Sequence, residues 1–507
     1  MRLLTSKQAR QLDLETIKKG VSGRVLMGQA GKAVAQAVKE ITAGKHDQHI
    51  CILCGSGNNG GDGFSAAVKL AEWGYRISVY SLPKADEIRG DADFYHKICQ
   101  DSKISIFYGI KLPLNFPIFQ VVIDALLGTG FKGKLKKEIQ PWIEWANRQK
   151  SKIIAVDIPS GVNADSGKID PLAIRSDLTI SMGHLKVGLT LEPGKSHSGN
   201  KKAADIGLLK DLSSLEARKW SLLTEFDTRA ILKPINVQTN KSEQGKVLFI
   251  SGSAGKTGAA YLCAAAALRT GAGLTISAAP FSLNSIYENK ITEGMTFPCE
   301  DKGKGRLTSE NFETISTWFD WCDVVAVGPG LGAAVDTLEL VRLIIEKSTK
   351  PIVLDADGLK VLIKYPDLLE KAACEVIITP HYAEFAKISN LPLKKIQENP
   401  LETAHKYLQD SECILVLKNA PTCIFWRDEG YINSTGNPGL ATAGTGDILT
   451  GMIAGFLAQG GNPLEAARLG VYFHGLAADL AAETLSQRAL IASDLFNEIP
   501  KMFKNYE

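Results

Sequence analysis

A glycine-rich turn runs directly into an apolar helix in the stretch Asn437-Pro-Gly-Leu-Ala-Thr-Ala-Gly-Thr-Gly-Asp-Ile-Leu-Thr-Gly451. Residues 444–446 expose backbone N–H groups, and the helix start adds unpaired N–H groups and the positive end of its dipole. This combination predicts a site for phosphate oxygens. Asp447 stands at the mouth of that site, where a carboxylate repels phosphate. We interpret it as a base that takes a proton from a hydroxyl about to meet phosphorus; the structural alternative is an ordinary N-terminal helix cap.

The length, composition and net charge of the chain indicate its general class. Its 507 residues are too many for one hydrophobic core, so we expect two or three domains. A content of 45% hydrophobic and 22% charged residues is typical of a soluble globular protein. A net charge of +3 provides no basic field for nucleic acid or an anionic membrane. The first residues lack a signal-peptide core, and no apolar run reaches the roughly 18–20 residues of a membrane helix. We expect a cytoplasmic protein that assembles from identical chains and binds small molecules.

The first half alternates strands and helices. We predict strands at residues 49–54, 75–80, 119–124 and 152–157, a loop at 55–63 and a helix at 64–73. Such βαβ repetition indicates a Rossmann-like parallel sheet covered by helices, with functional loops at the carboxyl ends of the strands. Cys51 and Cys54 form a lone C-x-x-C inside a predicted strand, so we interpret both as buried structural residues.

The loop at 55–63 superficially matches G-x-G-x-x-G through Gly55, Gly57 and Gly60. An NAD-dependent oxidoreductase would also need an acidic residue at the end of the next strand, to hold a ribose hydroxyl. That strand ends in Ser81-Leu82-Pro83 instead. The sequence therefore disfavours a redox enzyme.

Two aspartates, Asp124 and Asp157, follow apolar strands. A carboxylate in such a place loses hydration unless something pairs with it. A cation held by several oxygens, proton transfer by one carboxylate, and helix capping are all open answers. The nearby Gly128-Thr-Gly-Phe-Lys-Gly-Lys134 is a flexible basic loop, short enough to close over an anionic ligand.

The second half begins a new alternation, after a charged and weakly periodic stretch near residue 215. We therefore place domains at residues 1–215 and 225–507. Predicted strands at 246–250, 323–327, 351–355, 376–380 and 413–417 each deliver a small or polar loop at their carboxyl end. Gly255-Lys256-Thr257 is not a P-loop, because that motif needs a glycine where Ile250 stands.

Two sets of motifs carry a family resemblance. The first half resembles NAD(P)H-hydrate epimerases through Gly57-Asn-Asn-Gly-Gly-Asp-Gly63, Asp124-Ala-Leu-Leu-Gly-Thr-Gly130 and Val156-Asp-Ile-Pro-Ser-Gly161. The second half resembles the ribokinase-like ADP- or ATP-dependent NAD(P)H-hydrate dehydratases through Gly328-Pro-Gly-Leu-Gly332, Asp355-Ala-Asp357, Thr379-Pro-His381 and Ala443-Gly-Thr-Gly-Asp447. Because the last motif is shared with many vitamin and sugar kinases, the pairing of the two halves decides the resemblance.

The resemblance implies repair of NADH and NADPH to which water has been added. The first domain would interconvert the two hydrate epimers, with Asp157 as the candidate for proton transfer. Potassium would be held by Asn59, Asp124 and Ser160. Besides Asp157, the implied hydrate contacts there are Asn58, Asn59, Gly60, Gly61, Asp62, Gly128, Thr129, Gly130, Phe131, Lys132, Gly133 and Lys134.

The second domain would remove water from the S epimer at the expense of ADP or ATP, with magnesium as an aid. The implied hydrate contacts are Ala259, Gly330, His381 and Asp447, and the implied nucleotide contacts are Lys418, Asn419, Ala420, Pro421, Thr422 and Gly446. Two alternatives remain: a small-molecule kinase with an accessory first domain, and a nucleotide-sensing module without turnover.

Overall fold

A computed structural model describes residues 1–109, 111–112, 116–215, 218–409 and 411–506 of the chain. It divides into two compact units, one of residues 2–220 and one of Met1 with the residues from Ser221 onward. Within the described ranges, no helix combines the length and the apolar composition that crossing a membrane requires.

The N-terminal unit is built on a seven-stranded sheet. The strands of the unit include β1 (Arg2–Leu4), β2 (His49–Cys54), β3 (Arg76–Ser81), β4 (Ser105–Tyr108), β5 (Val121–Ala125), β6 (Lys152–Val156), β7 (Leu178–Met182), β8 (Leu185–Lys186) and β9 (Asn200–Ala204), and β1 and β8 are not part of the seven-stranded sheet. The sheet order is β4-β3-β2-β5-β6-β7-β9, and every neighbouring pair is parallel. The short β1 pairs in parallel with β8. A further strand, β10 (Lys219–Leu223), includes the division between the units.

Six helices accompany this sheet: α1 (Ser6–Lys18), α2 (Gly23–Ile41), α3 (Asn58–Glu72), α4 (Gly90–Asp101), α5 (Gln140–Arg148) and α6 (Gly194–His197). The predicted loop at 55–63 is wrong in its second part, because α3 already begins at Asn58. Its glycines serve close packing. A Cβ on Gly60 would lie 2.0 Å from the carbonyl oxygen of Gly55, and one on Gly63 would lie 2.8 Å from Cβ of Ala125. Glycine's low helix propensity is thus overridden by the approach of α3 to the sheet.

The C-terminal unit contains β11 (Lys246–Ile250), β12 (Leu274–Pro280), β13 (Met295–Cys299), β14 (Val324–Val327), β15 (Ile352–Leu354), β16 (Val376–Ile378), β17 (Ile414–Leu417), β18 (Cys423–Trp426) and β19 (Glu429–Asn433). Their order is β13-β12-β11-β14-β15-β16-β17-β18-β19. The pairs from β13 to β17 are parallel, and β17-β18-β19 form an antiparallel end. The predicted α/β class, with mostly parallel sheets, is therefore confirmed.

The helices of this unit are α7 (Glu225–Ile231), α8 (Thr257–Thr270), α9 (Asn284–Lys290), α10 (Phe312–Ser316), α11 (Val335–Lys347), α12 (Val361–Lys364), α13 (Tyr382–Ile388), α14 (Leu393–Glu398), α15 (Pro400–Tyr407), α16 (Thr445–Ala458), α17 (Pro463–Leu485) and α18 (Leu495–Lys504). Nearly all of α16 is buried in a large apolar cluster, together with parts of α8 and α17. Burial of residues 448–458 fixes the helix, so that its partly open N-terminal end lies beside the carboxyl ends of the parallel strands.

Candidate functional site

A cavity of about 640 Å³ lies in the C-terminal unit. Its walls come from loops that follow parallel strands and from the starts of helices α8, α13 and α16. The four side chains or glycines that the sequence implies as hydrate contacts all line it: Ala259, Gly330, His381 and Asp447. Residues separated by almost two hundred positions therefore meet in one place.

The start of α16 has the geometry expected of an anion site. Gly444 caps the helix in the left-handed region at φ 91°, a conformation that glycine adopts without strain. The N–H groups of the first turn have no partner within the helix and carry its positive dipole end. Gly444 also lines the cavity, so these groups lie at its wall.

Asp447 lies in the first turn of α16, on the cavity wall and partly buried. Burial, followed by the negative charge of Asp355, raises its pKa from the ordinary value near 3.8 to about 6, while Lys418 opposes the shift. A carboxylate with such a pKa is ionised at neutral pH, and it is a stronger base than an exposed aspartate.

A polar network underlies the turn. Lys418 Nζ donates to Asp355 Oδ1 at 2.7 Å, and Thr450 Oγ1 donates to Asp355 Oδ2 at 2.8 Å. A Cβ on Gly446 would lie 3.4 Å from Lys418 Nζ. The lysine is therefore held beside the N–H groups of α16, where it adds positive charge to the anion site. The Asp355–Thr450 bond was not expected from the sequence, since it joins residues 95 positions apart.

The proposed nucleotide segment follows β17. Residues 418–422 contain a cis peptide between Ala420 and Pro421, and Asn419 and Ala420 are exposed. The backbone of Lys418 is fixed by a bridge to His381, with its N–H donating to Pro380 O at 2.9 Å. An exposed backbone turn next to a fixed lysine is a surface on which a nucleotide could lie.

His381 connects the cavity to α13. Its Nδ1 accepts from the N–H groups of Ala383 and Glu384 at 3.1 and 3.2 Å, and the Glu384 carboxylate accepts from its backbone N–H. This capping arrangement requires Nδ1 to carry no proton. The Nε2 atom lies 3.6 Å from a carboxylate oxygen of Glu384, and the imidazole is 54% exposed. His381 thus caps α13 and also lines the cavity with an exposed ring.

A second cluster lies in the N-terminal unit, at the carboxyl ends of β5 and β6. Asp124 is fully buried and accepts hydrogen bonds from Ser160 N at 2.7 Å, Ser160 Oγ at 2.6 Å and Leu126 N at 3.3 Å. Asn59 Nδ2 donates to Leu127 O at 2.9 Å. The three implied potassium ligands therefore surround the same backbone turn. Burial raises the pKa of Asp124 to about 6 despite its three donors.

Asp157 lies beyond β6 in the left-handed region, at φ 64°. A non-glycine residue in this region is strained, and such strain is concentrated at functional sites. Its carboxylate accepts from Met182 N at 2.9 Å and forms a short ion pair with Lys186 Nζ. Lys186 is only 2% exposed. Sequence reasoning missed this lysine, although a single cation among the apolar residues 185–189 could have signalled it.

Two more carboxylates, those of Asp62 and Asp13, interact electrostatically with Asp157 and Lys186, and we call these four residues the charge cluster. Burial, followed by the charges of Asp157 and Asp13, raises the pKa of Asp62 well above its ordinary value. Asp13 keeps solvent contact, yet desolvation by the surrounding protein raises its pKa to about 6, against the opposing charge of Lys186. One buried ammonium thus balances several carboxylates, so the cluster can hold exchangeable protons near neutral pH.

Some of the remaining residues that the resemblance implies for the epimerase site are buried and others are exposed. Asn59, Gly60 and Gly61 are buried in the first turns of α3, whereas Asn58 is exposed at its start. Residues 128–134 form an irregular segment in which Lys132 and Lys134 are exposed. A Cβ on Gly128 would lie 3.2 Å from Cβ of Asn59, so this segment begins directly against α3.

Comparison with known proteins gives a consistent result over the whole chain. A family model described as NAD(P)H-hydrate dehydratase matches residues 247–501, and one described as YjeF-related protein N-terminus matches residues 23–188. The chain is 37% identical to the bifunctional NAD(P)H-hydrate repair enzyme Nnr of Moorella thermoacetica, covering 100% of this chain and 97% of that one. Identity to the Nnr enzyme of Thermofilum pendens is 32%, over 99% and 96% of the two chains.

Solved structures resemble the C-terminal part. A ribokinase-like superfamily protein from Enterococcus faecalis matches with a TM-score of 0.50 and 26% identity, covering 57% of this chain and 96% of that one. An ADP/ATP-dependent NAD(P)H-hydrate dehydratase from Bacillus subtilis, co-crystallised with ATP and Mg²⁺, has 28% identity and a TM-score of 0.49 over 57% and 99% of the chains.

The family resemblance that the motifs suggested is thereby confirmed. Both motif sets fall inside the two matched regions, in the same order as in relatives that align from end to end. This chain belongs to the family of bifunctional NAD(P)H-hydrate repair enzymes.

Proposed function

We propose that the chain repairs hydrated NADH and NADPH in two steps. Residues 1–215 interconvert the R and S hydrates, and residues 225–507 return the S hydrate to NADH or NADPH at the expense of ADP or ATP. The single observation that supports this most is the position of Asp447, on the wall of a cavity of about 640 Å³ beside the open start of α16.

The dehydration chemistry follows from the poor leaving ability of hydroxide. Asp447 accepts the proton of the hydrate hydroxyl, whose oxygen attacks the terminal phosphorus of the nucleotide and breaks its phosphoanhydride bond. Phosphate then leaves carbon in place of hydroxide, and the neighbouring carbon loses a proton as the ring double bond is restored. The α16 N–H groups and Lys418 stabilise the migrating phosphoryl charge.

The binding roles are divided between the two substrates. Ala259, Gly330 and His381 would contact the hydrate beside Asp447, and residues 418–422 with Gly446 would hold the adenine nucleotide. Within the described residues, no group of three or more His, Cys, Asp or Glu side chains is arranged to hold a metal ion. Magnesium, which binds nucleotide phosphates and retains water, would therefore be held mainly by the substrate.

In the epimerase unit, Asp157 would transfer the proton during epimer exchange. Residues 58–62 and 128–134 would contact the hydrate. Oxygen atoms of Asn59, Asp124 and Ser160 suit a hard monovalent cation such as potassium. Asp124 is fully buried, and three hydrogen-bond donors do not return its pKa to the ordinary value, which supports a positive partner at this place.

We expect epimer exchange to depend on potassium. Replacing potassium by tetramethylammonium at constant ionic strength should slow exchange by about 10–100-fold, a size typical of losing groups that orient a site. Exchange is followed without nucleotide, by chromatographic separation of the two hydrates. Ser160→Ala should raise the potassium concentration that is needed for half-maximal exchange. An exchange rate that is the same with potassium and with tetramethylammonium would contradict the proposed potassium site.

Dehydration should depend on pH through Asp447. The carboxylate accepts a proton only when it is ionised, and its pKa is raised to about 6. The rate constant at saturating substrates should therefore be level above that pH and fall about tenfold per unit below it. An unshifted aspartate would keep the rate level down to about pH 4. A profile without this fall between pH 7 and 5 would contradict the role of Asp447.

The function is tested by mixing the protein with hydrated NADH, ADP or ATP, and magnesium. We expect the near-ultraviolet absorbance of the dihydronicotinamide ring to recover, with one nucleotide phosphoanhydride consumed per ring. The kinase alternative predicts a phosphorylated vitamin or sugar while hydrated NADH stays intact. A protein that binds hydrate and nucleotide without turnover would support the sensing module instead.

A further inference from the structure

Two lysines converge on one carboxylate at the cavity wall. Lys256 Nζ donates to Asp357 Oδ2 at 2.9 Å, and Lys360 Nζ donates to Asp357 Oδ1 at 2.6 Å. The N–H of Gly332 fixes the same carboxylate at 3.0 Å. All three side chains line the cavity. We call Lys256 and Lys360 the lysine pair.

The lysine pair carries a surplus of positive charge. Although burial opposes it, hydrogen bonds from Lys360 and Lys256 hold the pKa of Asp357 below its ordinary value, so Asp357 is ionised at neutral pH. Two ammonium groups against one carboxylate leave one net positive charge. Each ammonium has three donors, and the side chains of Lys256 and Lys360 are 51% and 47% exposed. Donors not used on Asp357 can therefore reach a ligand in the cavity.

The lysine pair lies on the side of the cavity that is proposed to hold the hydrate. A Cβ on Gly330 would lie 2.8 Å from Cβ of Ala259 and 3.0 Å from the carbonyl oxygen of Lys256, so these three residues are in direct contact. In contrast, neither residues 418–422 nor Gly446 belong to the described residues that line this cavity. The positive charge is thus placed beside the hydrate contacts. Of the proposed phosphate site, the start of α16 lines the same cavity through Gly444.

We propose that the lysine pair binds the diphosphate bridge of the hydrated dinucleotide, an inference that rests on the proposed function. The bridge carries two negative charges in both NADH and NADPH, whereas the 2′-phosphate is present only in NADPH. A site that binds the diphosphate bridge therefore gains affinity for both hydrates. Asp357 holds the two ammonium groups at a common point before the ligand arrives, which reduces the entropy lost on binding.

The test compares Lys256→Gln, Lys360→Gln and the double variant with the parent. Glutamine retains a donor and most of the length but removes the charge. Lys347→Gln, at an exposed position at the end of α11, is the matched control. Steady-state rates give kcat, the KM for hydrated NADH, the KM for hydrated NADPH and the KM for ADP. Binding of NADH itself is measured by its fluorescence, and thermal unfolding verifies folding.

We expect each single variant to raise the KM of both hydrates about tenfold, as is typical of a charge-assisted hydrogen bond, and the double variant to raise it further. NADH binding should weaken in parallel, while kcat and the KM for ADP stay near the parent values. The control should behave like the parent.

Three results would overturn the proposal. Unchanged hydrate KM values would show that the pair binds no ligand. A rise confined to hydrated NADPH would assign the pair to the 2′-phosphate, and a rise confined to ADP would assign it to the nucleotide. If the parent protein itself does not convert the hydrate, the proposed function fails as a whole. If the parent converts the hydrate and the variants have the same KM values as the parent, only the proposal for the lysine pair is refuted.

Discussion

Asp447→Asn should abolish most dehydration while epimer exchange continues at the parent rate. Asparagine has nearly the same shape as aspartate but cannot accept the hydroxyl proton, and loss of a positioned base reduces rate by about 10²–10⁴-fold. Dehydration is followed by recovery of dihydronicotinamide absorbance from the S hydrate with ADP and magnesium. Exchange is followed by chromatography of the two hydrates without nucleotide.

Unfolding cannot account for this loss. The pKa of Asp447 is raised to about 6 in the folded chain, above its ordinary value near 3.8. Ionisation therefore opposes folding, beginning above pH 3.8 and in full above about pH 6. Removing the charge at pH 7 should leave the unfolding temperature equal or higher. Asp428→Asn, at an exposed position in the same unit, is the matched control. Dehydration by Asp447→Asn at near the parent rate would refute the mechanism.

The strands were the easiest part of the fold to predict. The predicted strands at 49–54 and 246–250 have the bounds of β2 and β11, because continuous apolar runs are typical of parallel strands buried on both faces. The start of α3 was predicted six residues too late. Its glycines resemble a loop locally, and only the approach of Gly60 to the carbonyl oxygen of Gly55 explains why they lie in a helix.

The site shows the same division between local and long-range information. The position of Asp447 on a cavity wall could be predicted because its turn and helix are contiguous in sequence, and strand-end loops are expected to converge in an α/β fold. The partners of these residues could not be identified in this way. Thr450 reaches Asp355 across 95 positions, and Lys186 reaches Asp157 across 29. Both pairs depend on the order of strands in the sheet and on side-chain direction, which local patterns do not contain.

Asp157→Asn should have the opposite effect on the two reactions. Epimer exchange should fall by about 10²–10⁴-fold through loss of the proton-transfer group, while dehydration of purified S hydrate persists. Asparagine tolerates the left-handed backbone at φ 64°, so the turn itself should survive. The variant should nevertheless be less stable. Lys186 is 2% exposed and loses the carboxylate that it contacts directly, and removing one partner of a buried ion pair costs about 3–5 kcal/mol.

A double variant separates chemistry from charge pairing. In Asp157→Asn with Lys186→Met, no buried cation remains unpaired, so the free energy of unfolding should recover much of what the single variant lost. If Asp157 transfers the proton, exchange stays lost although stability returns. If exchange returns with stability, Asp157 serves only to hold Lys186, and the proton must move through another group of the cluster. Asp62 would then be the first candidate, because burial raises its pKa well above the ordinary value and so favours its protonated form. Chemical denaturation and epimer exchange, measured on the same samples, decide between the two.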